Sequence, residues 1–175
     1  MLSAYPTDPA LGAPFDGLET TYGEPSQYKR MSAMASDAMW TAPWHYYLDA
    51  FSRRTKVWAI QFEEAIPGAP EALGVQHGSD LAFYFPEMFG ERKDPRRIGY
   101  EGLVDTVFDA LVRFVVDGDP NGANGGCEEG RYGWPEYGQS GLVTVLDAGN
   151  LATAQEPPYR PGFDVIEEYL IAVRN

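Results

Sequence analysis

The chain has 175 residues, of which 44% are apolar and 14% aromatic, so it contains enough apolar material for one domain with a packed core. Acidic residues outnumber basic residues by 26 to 13, which gives a formal net charge of −13. Such an anionic surface repels the phosphate backbone of nucleic acids, and we expect no nucleic-acid partner.

The sequence lacks the features of several kinds of site and of several targeting signals. The single cysteine, Cys127, excludes an internal disulfide and a cysteine-rich metal site. No apolar run approaches membrane-spanning length, and we expect no transmembrane segment. The N-terminus lacks the charged and apolar regions of a signal peptide, and no Asn-x-Ser/Thr acceptor occurs, so the sequence leaves the localisation open.

The first half of the chain predicts a turn-rich lead-in and a helix. Residues 1–25 contain repeated Pro, Gly and Asp turn signals and read as a linker or surface loop, followed by a domain over 26–175. Ser36-Asp37 can cap a helix over 37–53, although Pro43 lies within its first turns. An aromatic-rich stripe at helical spacing predicts the core-facing side of this helix: Trp40, Trp44, Tyr47, Leu48 and Phe51.

The next segment predicts a buried strand and a loop. Val57 to Phe62 shows almost no alternation of polar and apolar residues, which is typical of a strand buried on both faces in a parallel sheet. A Pro- and Gly-containing loop follows and leads to His77, and Gly78 to Phe85 has the length of a short helix.

The second half predicts two helices and one strand. Tyr100 to Val116 is the strongest helix, and Leu142 to Leu146 reads as a second strand. A last helix over 162–173 faces inward with Phe163, Ile166, Leu170 and Val173. The apolar stripe of the strongest helix should pack on a sheet: Val104, Val107, Phe108, Leu111, Val112 and Val115. Because a two-stranded sheet is marginal, these elements predict an α/β fold with an incomplete sheet flanked by helices, as a portion of a larger domain.

His77 is the candidate catalytic residue. A histidine in a Gly-flanked loop after a buried strand can reach a site, and its side chain can accept and return a proton near neutral pH. Gly78 permits a close backbone approach, and Asp80 can cap or orient the loop. An isolated histidine of this kind is often structural, and we interpret His45, in the aromatic helix, as structural or exposed.

The pattern around His77, Gly-x-x-His-Gly-Ser-Asp-Leu, resembles the catalytic-histidine segment of the type B carboxylesterases, the group of the cholinesterases and fungal lipases. Four further features are similar to that family in order: Ser36-Asp37 with Pro43, the strand at 57–62, the turn Asp119-Pro120-Asn121 and the segment Trp134-Pro135-Glu136-Tyr137. The resemblance implies the C-terminal region of an α/β-hydrolase whose His77 deprotonates a serine and then protonates the leaving group. It also implies a small-molecule or lipid carboxylic ester as substrate. Family members are mostly secreted.

The rest of a Ser-acid-His triad is missing. No serine lies in a Gly-x-Ser-x-Gly elbow, and Gly138-Gln139-Ser140-Gly141-Leu142 lacks the final glycine and follows the histidine, against the chain order of this fold. Glu63, Glu64 or Asp80 could hydrogen-bond His77, but no motif supports this. We expect the serine and acid on an upstream hydrolase segment, with an oligomer as another partner. A non-catalytic truncated module or partner-dependent fragment stays the alternative.

One motif fits a calcium loop. The segment from Asp117 to Gly122, with Glu128, matches the Asp-x-Asp-x-Asn-Gly-x5-Glu pattern. The context argues against it, because an exit helix is required and Gly130, Gly133 and Pro135 follow instead. We therefore expect no metal and no cofactor.

Overall fold

The computed structural model describes residues 2–66, 68–85, 101–123, 132–138, 140–147, 150–156 and 161–173. The chain divides into two compact units. Unit 1 comprises Met1–Thr55, Pro70–Gly74 and Pro157–Asn175, and unit 2 comprises Lys56–Ala69 and Val75–Glu156. None of the described helices combines the length and apolar character needed to span a bilayer.

Unit 1 is helical. It contains helix α1 (Tyr28–Ser36), a π-helical turn (Asp37–Thr41), helix α2 (Ala42–Ser52) and helix α5 (Pro161–Val173). Short 3-10 helices lie at Leu2–Ala4, Pro9–Leu11 and Glu71–Leu73. Helix α5 contacts α2 and the π-helical turn. Phe163 and Ile166 of α5 are buried as predicted, whereas the side chains of Leu170 and Val173 lie outside the described residues.

The predicted start of the first long helix at Ser36-Asp37 is wrong. The helix begins at Tyr28, and the Asp37 side chain is fully buried, where its Oδ2 accepts a hydrogen bond from the Tyr5 hydroxyl at 3.1 Å. The π-helical turn ends at Thr41, two residues before Pro43. A proline has no N–H for the helical ladder and its ring crowds the preceding turn, so a widened turn lets the helix continue.

The predicted aromatic core face of α2 is largely wrong. Leu48 is buried at 6% exposure, but Tyr47 is 57% and Phe51 50% exposed, and their rings stack at 5.9 Å. Trp40, in the π-helical turn, is also 47% exposed. The helix turns a different side toward α5, where the His45 and Phe163 rings lie 5.0 Å apart. Helical spacing therefore identified a continuous aromatic-rich stripe on α2, but packing against α5 buries a different face of this helix.

A buried ammonium group joins α1 to the turn-rich residues before it. Lys29 is 0% exposed, and its Nζ donates to Asp16 Oδ1 at 2.6 Å and to the Leu18 carbonyl oxygen at 2.8 Å. The Tyr22 ring lies 5.7 Å from the same Nζ, and the Tyr22 hydroxyl donates to Asp16. Each contact compensates part of the cost of removing a lysine charge from water.

Unit 2 contains a three-stranded sheet in the order β1-β2-β3. Strand β1 (Ile60–Phe62) pairs in parallel with β2 (Leu142–Asp147), with Ile60 opposite Thr144. Strand β3 (Asn150–Gln155) pairs antiparallel with β2. The parallel neighbour predicted for β1 is thus confirmed, whereas burial on both faces is wrong, because Ile60 and Phe62 are only half-buried. In the described part of the chain β1 has β2 on one edge only, which explains its partial exposure.

Helices α3 (Leu81–Tyr84) and α4 (Glu101–Asp117) pack together in unit 2. Their apolar residues form one core with Trp134 and Leu146, and Ile60 and Phe62 pack against it. Only part of the predicted α4 stripe is buried: Val104 and Val107 face the core, whereas Val115 is 75% exposed. The helix is apolar over a wider arc than one packed face can cover. The other exposed apolar residues of α4 are Phe108, Val112, Phe114 and Val116.

Candidate functional site

His77 lies in a four-residue turn closed by its neighbours. The N–H of Ser79 donates to the Gln76 carbonyl oxygen at 3.0 Å, and Gly78 has a φ of +85°. A positive φ at the third position of a turn is the conformation for which glycine is favoured. We expected Gly78 to allow a close backbone approach, but a Cβ there would meet nothing nearer than Leu81 Cδ1 at 3.6 Å. The backbone conformation is therefore what requires glycine, and the turn presents an exposed His77 side chain.

The turn is anchored to the core of unit 2 on its C-terminal side. Ser79 is 1% exposed, and its Oγ accepts a hydrogen bond from the Gln76 N–H at 3.1 Å. Ala82 and Phe83 in α3 are fully buried, and the Phe83 ring contacts the Phe62 ring of β1 edge-on at 5.0 Å. The exposed imidazole of His77 therefore extends from a backbone turn that buried residues hold in place.

The three acidic residues considered beside His77 differ in their described surroundings. Asp80 occupies the N-cap position of α3 but makes no capping hydrogen bond with its side chain. Burial, and secondarily the Asp80 charge, raise the pKa of Tyr84. The N–H of Glu63 donates to Leu146 across the sheet at 2.8 Å, and its carboxylate accepts from the Gln61 amide. Glu64 is buried at 6% exposure.

The Asp-Pro-Asn turn and the Trp-Pro-x-Tyr segment are one structural feature. Asn121 Nδ2 donates to the Trp134 carbonyl oxygen at 3.0 Å, and Asn121 Oδ1 accepts from the Trp134 N–H at 2.8 Å. Trp134 is 6% exposed in the core, and the Tyr137 N–H donates to the Val57 carbonyl oxygen at 2.8 Å. Two motifs separated in sequence therefore fix the turn after α4 against the segment that leads into β1.

Comparison with known proteins identifies the family of this chain. The model of the carboxylesterase family matches residues 18–159. This chain belongs to the carboxylesterase family. Lipase 4 of Diutina rugosa is 26% identical over 170 residues, which cover 95% of this chain and 27% of that lipase. The carboxylesterase-family chain therefore spans about a quarter of the length of this curated relative.

Family membership implies an α/β-hydrolase fold, with which the small sheet and the helices of unit 2 agree. The matching family is one of carboxylesterases, and the relative is a lipase. The serines of unit 2 do not form the nucleophile elbow of such enzymes. Ser79 is buried in the turn described above, and the Ser140 hydroxyl donates to the Tyr137 carbonyl oxygen at 2.8 Å while accepting from the Leu142 N–H at 3.2 Å.

The calcium pattern has a different structural explanation. Asp119 Oδ1 accepts from the backbone N–H of Asn121 at 2.8 Å and from its side-chain amide at 2.9 Å, and the same amide pairs with Trp134. Glu128 lies outside the described residues. Among those that are described, no three His, Cys, Asp or Glu side chains are grouped so that they could hold a metal ion.

His45 lies in unit 1, in an aromatic setting. Its ring is 5.1 Å from the Trp44 ring, edge-on, and 5.0 Å from that of Phe163. These contacts support the structural interpretation of His45. Sequence reasoning missed the structural use of Ser79, and the only signal was its position two residues after the histidine in a Gly-containing turn.

Proposed function

We propose that residues 26–175, after a lead-in over 1–25, are the C-terminal part of a carboxylesterase-family hydrolase and that His77 is its general base. One observation supports this assignment above the others. The His77 side chain is exposed, whereas Ser79 and Phe83, which follow it, are buried and hold the turn. Catalytic groups are commonly placed in this way, on a loop fixed by a rigid scaffold.

In the proposed mechanism the His77 imidazole accepts the proton of a serine hydroxyl as that oxygen attacks the ester carbonyl. The imidazolium then returns the proton to the departing alcohol, and water regenerates the serine by the same route. The serine, and the acid that orients the imidazole, lie on a segment outside these 175 residues. The substrate is a small-molecule or lipid carboxylic ester.

A non-catalytic module is the alternative, and the exposed apolar faces of both units favour a partner in either case. Tyr47 and Phe51 on α2, and Val115 and Val116 on α4, are at least half exposed. Faces of this kind are typical of protein surfaces that another segment covers. The two alternatives differ in what the partner supplies. The proposed enzyme requires a partner segment that carries the serine and the acid, whereas an inert module does not.

The test compares the chain alone with the chain joined to a family segment that bears a Gly-x-Ser-x-Gly elbow and an acid. With p-nitrophenyl acetate we expect no saturable hydrolysis by the chain alone, because it lacks a nucleophile elbow, and saturable hydrolysis by the joined protein. A serine-directed phosphonate should abolish only the second activity. Saturable turnover by the chain alone that the phosphonate blocks would show that a serine of this chain acts as a nucleophile and that the proposal is wrong.

The exposed faces predict the behaviour of the isolated chain in solution. We expect oligomers or strong binding of a hydrophobic dye, because the net charge of −13 is screened beyond about 8 Å at physiological salt whereas apolar faces associate on contact. The double variant Val115→Lys/Val116→Lys should bind less dye without unfolding, since both side chains are exposed. A monodisperse, dye-free monomer of the native sequence would contradict this prediction.

A further inference from the structure

Two hydrogen bonds of opposite direction join Gln76 and Ser79 across His77. The Ser79 N–H donates to the Gln76 carbonyl oxygen at 3.0 Å, and the Gln76 N–H donates to Ser79 Oγ at 3.1 Å. The first bond is the ordinary closure of a turn. The second requires a side-chain acceptor at position 79, so the hydroxyl completes a ring that encloses His77 and Gly78.

Burial differs sharply between these residues. Ser79 is 1% exposed, whereas the His77 side chain is exposed. The hydroxyl is therefore held by its surroundings, and it offers a fixed acceptor to the backbone directly before the histidine. Without this acceptor the N–H of Gln76, a half-buried residue, would lose its hydrogen bond to Ser79 Oγ, and the turn would keep a single closing bond.

We infer that Ser79 is a positioning residue for His77 and acts through the backbone of the turn rather than on the substrate. The inference rests on the proposed function, because positioning matters for catalysis only if His77 transfers the proton. A general base must reach its proton within hydrogen-bond distance, and a displacement of about 1 Å can lower turnover by about 10²-fold. A hydroxyl that fixes the two residues flanking the histidine restricts such displacement.

Ser140 provides a control for the loss of a serine hydroxyl, at an exposed position. Ser140 Oγ also accepts a nearby backbone N–H, that of Leu142 at 3.2 Å, and Ser140 lies in the same unit. Ser140→Ala therefore removes a comparable bond away from the histidine. Ser79→Cys nearly preserves the volume of the buried side chain but supplies a weak acceptor, so it separates the hydrogen bond from packing if Ser79→Ala fails to fold.

The first measurement is hydrogen–deuterium exchange on the 175-residue chain. We expect faster exchange of the Gln76 amide in Ser79→Ala and Ser79→Cys and unchanged exchange of that amide in Ser140→Ala. The second measurement is ester hydrolysis by the chain joined to a segment bearing the serine and acid. There both Ser79 variants should lower kcat by about 10- to 100-fold with little change in KM, and Ser140→Ala should change neither.

The outcomes separate the inference from the proposed function. If His77→Ala abolishes turnover but Ser79→Cys retains the native kcat or the native Gln76 exchange, the inference is wrong and the proposed function stands. If His77→Ala leaves turnover intact, the proposed function itself is wrong, whatever the exchange shows. An equal loss of kcat in Ser140→Ala and Ser79→Ala would indicate a general structural effect and would also overturn the inference.

Discussion

Replacement of His77 by alanine should abolish ester hydrolysis by the joined protein and leave its fold intact. Without the imidazole, the serine has no group to accept its proton during attack and the leaving alcohol has no proton donor. Loss of a triad member costs about 10⁴-fold in turnover or more, which is far beyond the effect of a displaced contact. Because the side chain is exposed, its removal creates no cavity, and the thermal transition should stay near that of the native protein.

The second histidine provides the control for this experiment. His45→Phe removes the imidazole but keeps an aromatic ring against Trp44 and Phe163, so packing in unit 1 should be largely retained. Turnover should change little in this variant. An essential His45 together with a dispensable His77 would show that the general base is assigned to the wrong histidine.

The sequence predicted the position of the candidate site better than it predicted the contacts that pack the fold. The Gly-x-x-His-Gly-Ser-Asp-Leu pattern is local, since its eight residues run from Gly74 through the His77 turn to the start of α3, and so the sequence could locate that turn. The pairing of Asn121 with Trp134 joins residues 13 positions apart, and the sequence showed only that both motifs exist. Burial of Ser79 depends on how α3 packs, which no local pattern reveals.

Packing explains the elements that the sequence did not predict. Strand β3 contains Ala152, Thr153 and Ala154 rather than a run of large β-branched residues, so its strand propensity is weak. Its pairing with β2 supplies the stabilisation, and only two residues separate the paired Asp147 and Asn150. Helix α1 lacked a capping signal and begins after Gln27, which makes no side-chain capping bond. Nothing in the sequence distinguishes Lys29 from a surface lysine, and only the packing of unit 1 buries it.

The buried Lys29 predicts the largest effect on stability. Asp16→Ala should lower the free energy of unfolding of unit 1 by about 3 kcal/mol or more, because it leaves a buried ammonium group with only the Leu18 carbonyl oxygen and the Tyr22 ring. Chemical denaturation followed by circular dichroism measures this loss. Adding Lys29→Met should recover much of it, since an apolar side chain needs no counter-charge.

An exposed ion pair in the same unit serves as the control. Arg53 and Asp49 lie 2.7 Å apart, nearly the distance between Lys29 and Asp16, but their side chains are 73% and 67% exposed. Asp49→Ala should therefore change the free energy of unfolding by at most about 1 kcal/mol. Similar losses in the Asp49 and Asp16 variants would contradict the view that burial of Lys29 makes its pair important.

The same cluster predicts how stability depends on pH. Desolvation raises the pKa of Asp16, but hydrogen bonds from Lys29, Tyr22 and the Leu18 N–H outweigh it and lower the pKa from 3.8 to about 2. Because the folded-state pKa is depressed, this contribution is fully present above about pH 4 and is lost as the pH falls through about 2. The hydrogen bond to Asp16, with burial adding to it, raises the pKa of Tyr22 to about 12, so the Tyr22 contribution is lost only as the pH rises through that value. In an acid titration, native protein and Asp16→Asn should differ in stability at pH 5 and converge near pH 2, whereas a constant difference over that range would show that the Asp16 charge contributes nothing to the fold.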